Sequence, residues 1–351
     1  MAEILGIGTT HYPGIYMLDK DAPLFLRRTL RDEKTPARVK DARNWPRAMQ
    51  AEWGEDEGAT ATARHREQCV SALREIRREL DDFAPDFVLI WGDDQYENFN
   101  EDFVPPFCVY ITDQMESRPF QVSSMVPPNN VWGEPQDTAF KHRGHGAGAR
   151  YIANKLSDEG IDIAYAYRVR YRHGLAHAFI NTLMYLDYDR RGFDYPVIPF
   201  HVNCYGGEMI RSRGGAAEQG MKVGEPDPPS PSPRACFDLG AAVARILRRS
   251  PWRVALVASS SWSHATLTRK NDYIYPDHDS DRARLNALKD GTFATWRDLD
   301  RASIEDAGQE EILNWVCLAG AMSETGQSPR IIDYVESWVL NSNKCFAVFP
   351  P

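Results

Sequence analysis

The stretch from Val88 to Phe99, Val-Leu-Ile-Trp-Gly-Asp-Asp-Gln-Tyr-Glu-Asn-Phe, constrains the fold of this chain more than any other. Its apolar residues lie between Pro85 and Gly92 and read as a strand buried on both faces, which breaks at once into acids, an amide and aromatics. Three further apolar runs end the same way. Residues 3–8 lead to Thr-Thr-His11-Tyr12, residues 196–202 to Asn203, and residues 253–258 to Ser-Ser-Ser-Trp262-Ser-His264. In open α/β sheets, ligands bind beyond the carboxyl ends of the strands. One pocket assembled from several strand ends is therefore expected.

With 351 residues, of which 42% are hydrophobic and 11% aromatic, the chain can bury a sizeable core. Fifty acids against 41 bases give a formal charge of -9, with no basic run of the kind that grips phosphates, so a small soluble partner is expected and nucleic acid is not. No apolar run approaches the roughly 18 residues needed to cross a bilayer, and the start lacks the regions of a signal peptide, so a cytoplasmic location with no membrane association is expected. The six cysteines show no Cys-x-x-Cys spacing and read as small buried apolar groups.

Apolar residues at helical spacing over 60–82 predict a surface helix feeding the strand at Phe87. Its amino end should return to the edge where the first strand ends, bringing His65 towards the pocket. Residues 20–58 lack clean periodicity and read as loop with one short helix. Residues 138–156 predict a helix, 161–169 a strand, 236–249 a helix and 310–322 a last helix. Residues 211–234, rich in Gly and Pro, read as an exposed loop or lid, and residues 326–351 as a C-terminal tail. Strands and helices alternate throughout, the signature of an α/β fold: a single layered domain with a central mixed, largely parallel sheet flanked by helices.

His11 and His264 stand at strand ends, where a rigid scaffold can aim a ring nitrogen into a cleft. His173 and His177 lie four apart and would share a helix face, better suited to orienting a substrate than to holding a metal without a neighbouring Glu. His142, His145 and His278 read as solvated, and His201 as a satisfied core residue. Glu311 lies beside the apolar face of its helix, either as a boundary residue or as an inward charge. No Gly-x-Gly-x-x-Gly, lysine phosphate loop or Gly-x-Ser-x-Gly elbow occurs, which disfavours dinucleotide binding, nucleotide hydrolysis and α/β-hydrolase chemistry. Mixed imidazole and carboxylate ligands with open positions would suit Fe(II).

The ordered set His11-Tyr-Pro, Gly-Asp-Asp-Gln95-Tyr-Glu-Asn-Phe, Pro-Pro-Phe-Cys-Val-Tyr, Arg-His173-Gly, Pro-Val-Ile-Pro-Phe-His-Val-Asn, Ser-Trp-Ser-His264 and Glu311 resembles the class III extradiol ring-cleavage dioxygenases over residues 3–325. The resemblance implies Fe(II) as cofactor, His11 and Glu311 as metal ligands, His264 as the acid/base group and His173 as a pocket residue. Where the family carries its second iron-binding histidine this chain has Gln95, a weaker ligand for Fe(II). Gln95 ligates weakly, or His65 or Asp94 takes the position, or the metal is lost. Ser261-Trp262 for Gly-Gly and Arg172 for Asp further reshape the pocket. Tyr12, Tyr96 and Trp262 are candidates to cover a substrate ring, and His177 to orient it.

The expected function is thus Fe(II)-dependent opening of a substituted catechol by O2, in a homodimer. The alternatives are a metal-poor homologue that binds an aromatic ligand without chemistry, and a zinc-dependent hydrolase in the same pocket.

Overall fold

A computed structural model of the chain describes residues 2–100, 102–121, 129–206 and 228–351. Strands β1 (Ile4–Thr9), β2 (Phe87–Gly92), β3 (Phe107–Tyr110), β6 (Ala164–Ala166), β7 (Val197–Val202), β8 (Val254–Ser259), β9 (Arg330–Val335) and β10 (Lys344–Phe349) form a sheet ordered β6-β3-β7-β2-β8-β1-β10-β9. Strands β4 (Gln114–Ser117) and β5 (Phe140–Arg143) pair apart from it. The central four, β7-β2-β8-β1, are parallel, and β3 and β10 run against them. The sheet is thus mixed with a parallel centre, as the alternation of strands and helices predicts.

Every residue of β1, β2, β7, β8 and β10 is buried, which is why these strands are continuous apolar runs. Successive side chains still alternate between two cores. Phe87, Leu89 and Trp91 join one, with helices Gly146–Asp158, Pro233–Arg248 and Ile312–Thr325. Val88 and Ile90 join the other, with helices Ala59–Phe83 and His177–Leu186. Helices Pro233–Arg248 and Ile312–Thr325 cross through a reciprocal glycine contact. A Cβ on Gly240 would stand 1.8 Å from the Cys317 carbonyl oxygen, and one on Gly320 would stand 2.0 Å from that of Phe237. This close approach fixes the helix whose amino end carries Glu311.

Four expectations are corrected. Residues 20–58 contain three helices, Leu24–Arg31, Ala37–Lys40 and Arg47–Trp53, held by buried Leu26, Val39, Trp45 and Met49 rather than by periodicity. The helix predicted over 138–156 begins only at Gly146, because residues 140–143 pair with β4 and His145 caps the helix by accepting from the Gly148 N–H at 3.0 Å. His142 and His145 therefore lie before the helix, not on its face. The 161–169 strand shrinks to three residues. The presumed tail forms β9 and β10, and β10 pairs with β1 in the core. The lid reading falls largely on residues 211–227, outside the described residues; the last of that segment opens helix Pro233–Arg248. Among the described residues, no helix is long and apolar enough to cross a membrane.

Because Phe346 is fully buried in β10, Phe346→Ala is expected to cost about 3–5 kcal/mol of stability, read from the denaturant midpoint. A dispensable tail would show almost no loss.

Candidate metal centre

Beyond the carboxyl ends of the four parallel strands, His11, Asp93 and Glu311 meet, with potential ligand atoms all within 4.8 Å of one another. His11 follows β1, Asp93 is the first residue after β2, and Glu311 directly precedes helix Ile312–Thr325, where the Ser260 hydroxyl holds its carbonyl at 2.8 Å. Glu311 thus sits at the amino end of that helix rather than on its apolar face, in the field that favours a carboxylate. All three side chains are at most 3% exposed.

The tautomer of His11 follows from its partners. Nδ1 lies 2.9 Å from the Ser259 carbonyl oxygen, which can only accept, so Nδ1 carries the hydrogen and Nε2 faces the carboxylates. Nε2 is 3.4 Å from Glu311 Oε2 and 3.9 Å from Asp93 Oδ1. Two buried carboxylates so close resist joint ionisation. Burial and the Glu311 charge push Asp93 up to about 7. Burial would also raise Glu311, but His264, His11 and the Tyr205 hydroxyl outweigh it and hold that carboxyl well below its usual range. Burial would lower His11, yet Glu311 and Asp93 raise it. Asp93 Oδ2 and Glu311 Oε2 have no hydrogen-bond partner although both are buried. A divalent cation would neutralise the carboxylates and satisfy these oxygens, so the donor set fits a metal.

Gln95 reaches the same place in another role. Its Nε2 donates to Glu311 Oε1 and to the Tyr205 hydroxyl, each at 3.0 Å, and Tyr205 donates to the same carboxylate oxygen. Both residues hold Oε1 and leave Oε2 facing His11. His264, 8% exposed, anchors Nδ1 on the Trp262 carbonyl at 2.9 Å and presents Nε2 3.5 Å from Glu311 Oε1. Burial keeps its ring below the usual histidine range, against the pull of Glu311. His177, first residue of its helix, stands edge-on to His11 with ring centroids 5.0 Å apart and pairs with Glu97 through Nδ1 at 2.9 Å. Burial would lower it, but Glu97, Asp93 and Glu311 raise it to about 9.

Several predicted residues lie elsewhere. His65 faces Glu52 at 3.3 Å, and Glu52 also accepts from the Trp338 N–H at 2.9 Å, so the helix turns this histidine away from the triad. Asp94 accepts the backbone N–H groups of Glu97, Asn98 and Phe99 and caps a turn. His173 occupies the turn before the helix, so it shares no helix face with His177; Arg172 Nε donates to its Nε2 at 2.8 Å. Tyr12 lies in the core beneath the Lys344 ammonium, 4.1 Å from its ring centre. Trp262 packs among Trp296, Trp315 and Tyr334. Neither ring is placed to cover a substrate at the triad. Tyr96 stands half-buried beside Gln95 with φ 62°. His201 is a buried core histidine on β7, as expected. Sequence reading missed Asp93, Glu97 and Tyr205. Asp93 had a signal, being the first polar residue after the strand.

Residues 227–339 match a family described as the catalytic LigB subunit of aromatic ring-opening dioxygenase. Proteins named 2,3-dihydroxyphenylpropionate/2,3-dihydroxicinnamic acid 1,2-dioxygenase are similar to this chain. That of Photorhabdus laumondii subsp. laumondii is 28% identical over 204 residues, 58% of this chain and 50% of that protein. That of Paraburkholderia phymatum is 27% identical over 298 residues, 76% and 85% respectively, and that of Paraburkholderia xenovorans is 24% identical over 293, 75% and 84%. The chain thus spans half the length of the first and over four-fifths of the other two. The chain is thus similar to aromatic ring-opening dioxygenases, the class that its motifs resemble. The matched family segment contains His264 and Glu311, whereas His11, Asp93 and Gln95 precede it.

Metal binding must displace the proton held by Asp93. Affinity for a divalent cation, measured by anaerobic calorimetry, should therefore rise at least about tenfold per pH unit below pH 7 and level off above it. Asp93→Ala should weaken binding at least about 100-fold, and His65→Ala should leave it unchanged. A pH-independent affinity would contradict a site built on this carboxylate pair.

Proposed function

We propose that this protein is an extradiol dioxygenase that opens the ring of a substituted catechol with O2, using Fe(II) held by His11, Asp93 and Glu311. Asp93 takes the place of the histidine that the Gln95 position lacks, and Gln95 orients Glu311 instead. The observation that carries the reading is the pair of orphan carboxylate oxygens, Asp93 Oδ2 and Glu311 Oε2, both buried, with His264 approaching the other oxygen of Glu311 at 3.5 Å. The names of the relatives support a catechol as substrate class.

The Fe(II) would supply a redox-active centre at which a diol and O2 can be brought together. The residues do the rest. His264 Nε2 accepts a proton from a substrate hydroxyl. Its Nδ1–H is fixed on the Trp262 carbonyl, so the ring presents only this nitrogen to the site. Tyr205 and Gln95 restrain Glu311 through Oε1. The His177 imidazolium, held by Glu97, places positive charge beside His11 and favours anionic character on a bound diol. This matters because one histidine and two carboxylates neutralise a divalent ion fully, whereas two histidines and one carboxylate leave it a net positive charge. His177, whose charge is balanced by Glu97, supplies only a local positive field beside His11. The ring bond beside the diol breaks and both atoms of O2 end in the product, so no external reductant is consumed.

Anaerobic reconstitution with Fe(II) followed by oxygen uptake on a panel of catechols tests the reading. Uptake matched by ring-opened product is expected, and His264→Gln should lower kcat about 10²- to 10⁴-fold while iron content stays stoichiometric. Uptake with no catechol, together with stoichiometric zinc in the purified protein, would favour the hydrolase reading. Failure to retain any divalent metal would favour a binding protein.

A further inference from the structure

Outside the triad, Asp281 is a buried carboxylate whose hydrogen-bond partners are all neutral and lie on three separate segments. Asp281, fully buried in the first turn of helix His278–Lys289, accepts from the Ser263 backbone N–H at 3.0 Å and from Gln309 Nε2 at 2.6 Å through Oδ1. Its Oδ2 accepts from Asn343 Nδ2 at 2.7 Å. Each partner belongs to a segment that carries or clamps a residue of the site. Ser263 precedes His264. Gln309 lies two residues before Glu311, and its carbonyl accepts the Ile312 N–H that opens the following helix, at 2.9 Å. Asn343 follows Ser342, which bridges to His264 across a short antiparallel contact. The His264 N–H in turn donates to the Gly308 carbonyl at 2.8 Å. Three chain segments distant in sequence thus meet on two oxygens.

Burying a charge without a cation is costly unless hydrogen bonds hold it. An apolar residue could fill the same space at no such cost, but it could not tie the three segments in register. We infer that Asp281 is a positioning residue that fixes His264 and Glu311 relative to each other by gathering Ser263, Gln309 and Asn343 onto one carboxylate. The inference rests on the proposed roles of His264 and Glu311.

Asp281→Asn replaces one acceptor oxygen with a donor and leaves at least one of the three N–H groups facing another. Its kcat on catechol should fall about 10- to 100-fold with KM within about twofold, the size expected for a small misplacement of the reacting groups. With Co(II) substituted into the site and no catechol present, the visible absorption bands should shift while metal stoichiometry is unchanged. The double variant Asp281→Asn/Asn343→Asp exchanges donor and acceptor across the Asn343 contact, and should restore both the wild-type spectrum and kcat to within about threefold. If Asp281→Asn does not fold, Gln309→Met removes one donor at similar volume and should move spectrum and kcat the same way. An unchanged spectrum and kcat in the single variant, or no recovery in the double, would overturn the inference. The Co(II) spectra are read without turnover, so a wild-type protein inactive on every catechol would sink the proposed function without deciding the role of Asp281.

Discussion

Two carboxylates and an imidazole share a pocket with almost no solvent, and the arrangement around it follows from that constraint. Asp93 and Glu311 cannot both stay charged there unless something positive lies between or beside them. Protons can serve, and a divalent cation serves better. Ser259 fixes the His11 tautomer, Tyr205 and Gln95 occupy one oxygen of Glu311, and the amino end of helix Ile312–Thr325 stabilises the charge. Of the buried oxygens left over, Glu311 Oε2 faces His11 Nε2 at 3.4 Å.

The fold makes that geometry rigid. His11 and Asp93 stand just past two strands that flank β8 in the parallel centre of the sheet, with Ser259 at the end of β8 between them. The helix behind Glu311 is locked to helix Pro233–Arg248 at the glycine crossing, and the loop carrying His264 is clamped by the C-terminal segment and by Asp281. Side chains set by strand ends and a helix start move little, which suits the proposed metal site.

Much of the frame was legible because the central strands are buried on both faces and therefore read as unbroken apolar runs. The long helix Ala59–Phe83 declared itself by periodicity. Residues 24–53 did not, since their short helices are held by a few buried side chains such as Trp45 and Met49 contributed to a core formed elsewhere. The strand Lys344–Phe349 was hidden by its position beyond the stretch of family resemblance, although Cys-Phe-Ala-Val-Phe is as apolar as the other core strands. Within the site, residues at strand ends could be located, but side-chain direction could not. Tyr12 is next to His11, but its ring packs into the core shared with helices Ala59–Phe83 and His177–Leu186. His65 lies on the expected helix, but its ring turns to Glu52. Asp94 and Gln95 drew attention through the family pattern, while Asp93, one residue earlier, is the carboxylate that meets the triad. Deciding between neighbours one or two residues apart needs the turn geometry after β2, where Asp94 ties down three backbone N–H groups.

In the proposed site Asp93, and not Gln95 or His65, joins His11 and Glu311 around the metal. A crystal structure of the protein loaded anaerobically with Fe(II), with data collected at the iron absorption edge, tests it directly. One anomalous peak is expected, bonded to His11 Nε2 and to carboxylate oxygens of Asp93 and Glu311, with the Gln95 amide nitrogen still on Glu311. A peak coordinated by Gln95 or His65, with Asp93 outside bonding distance, would contradict it.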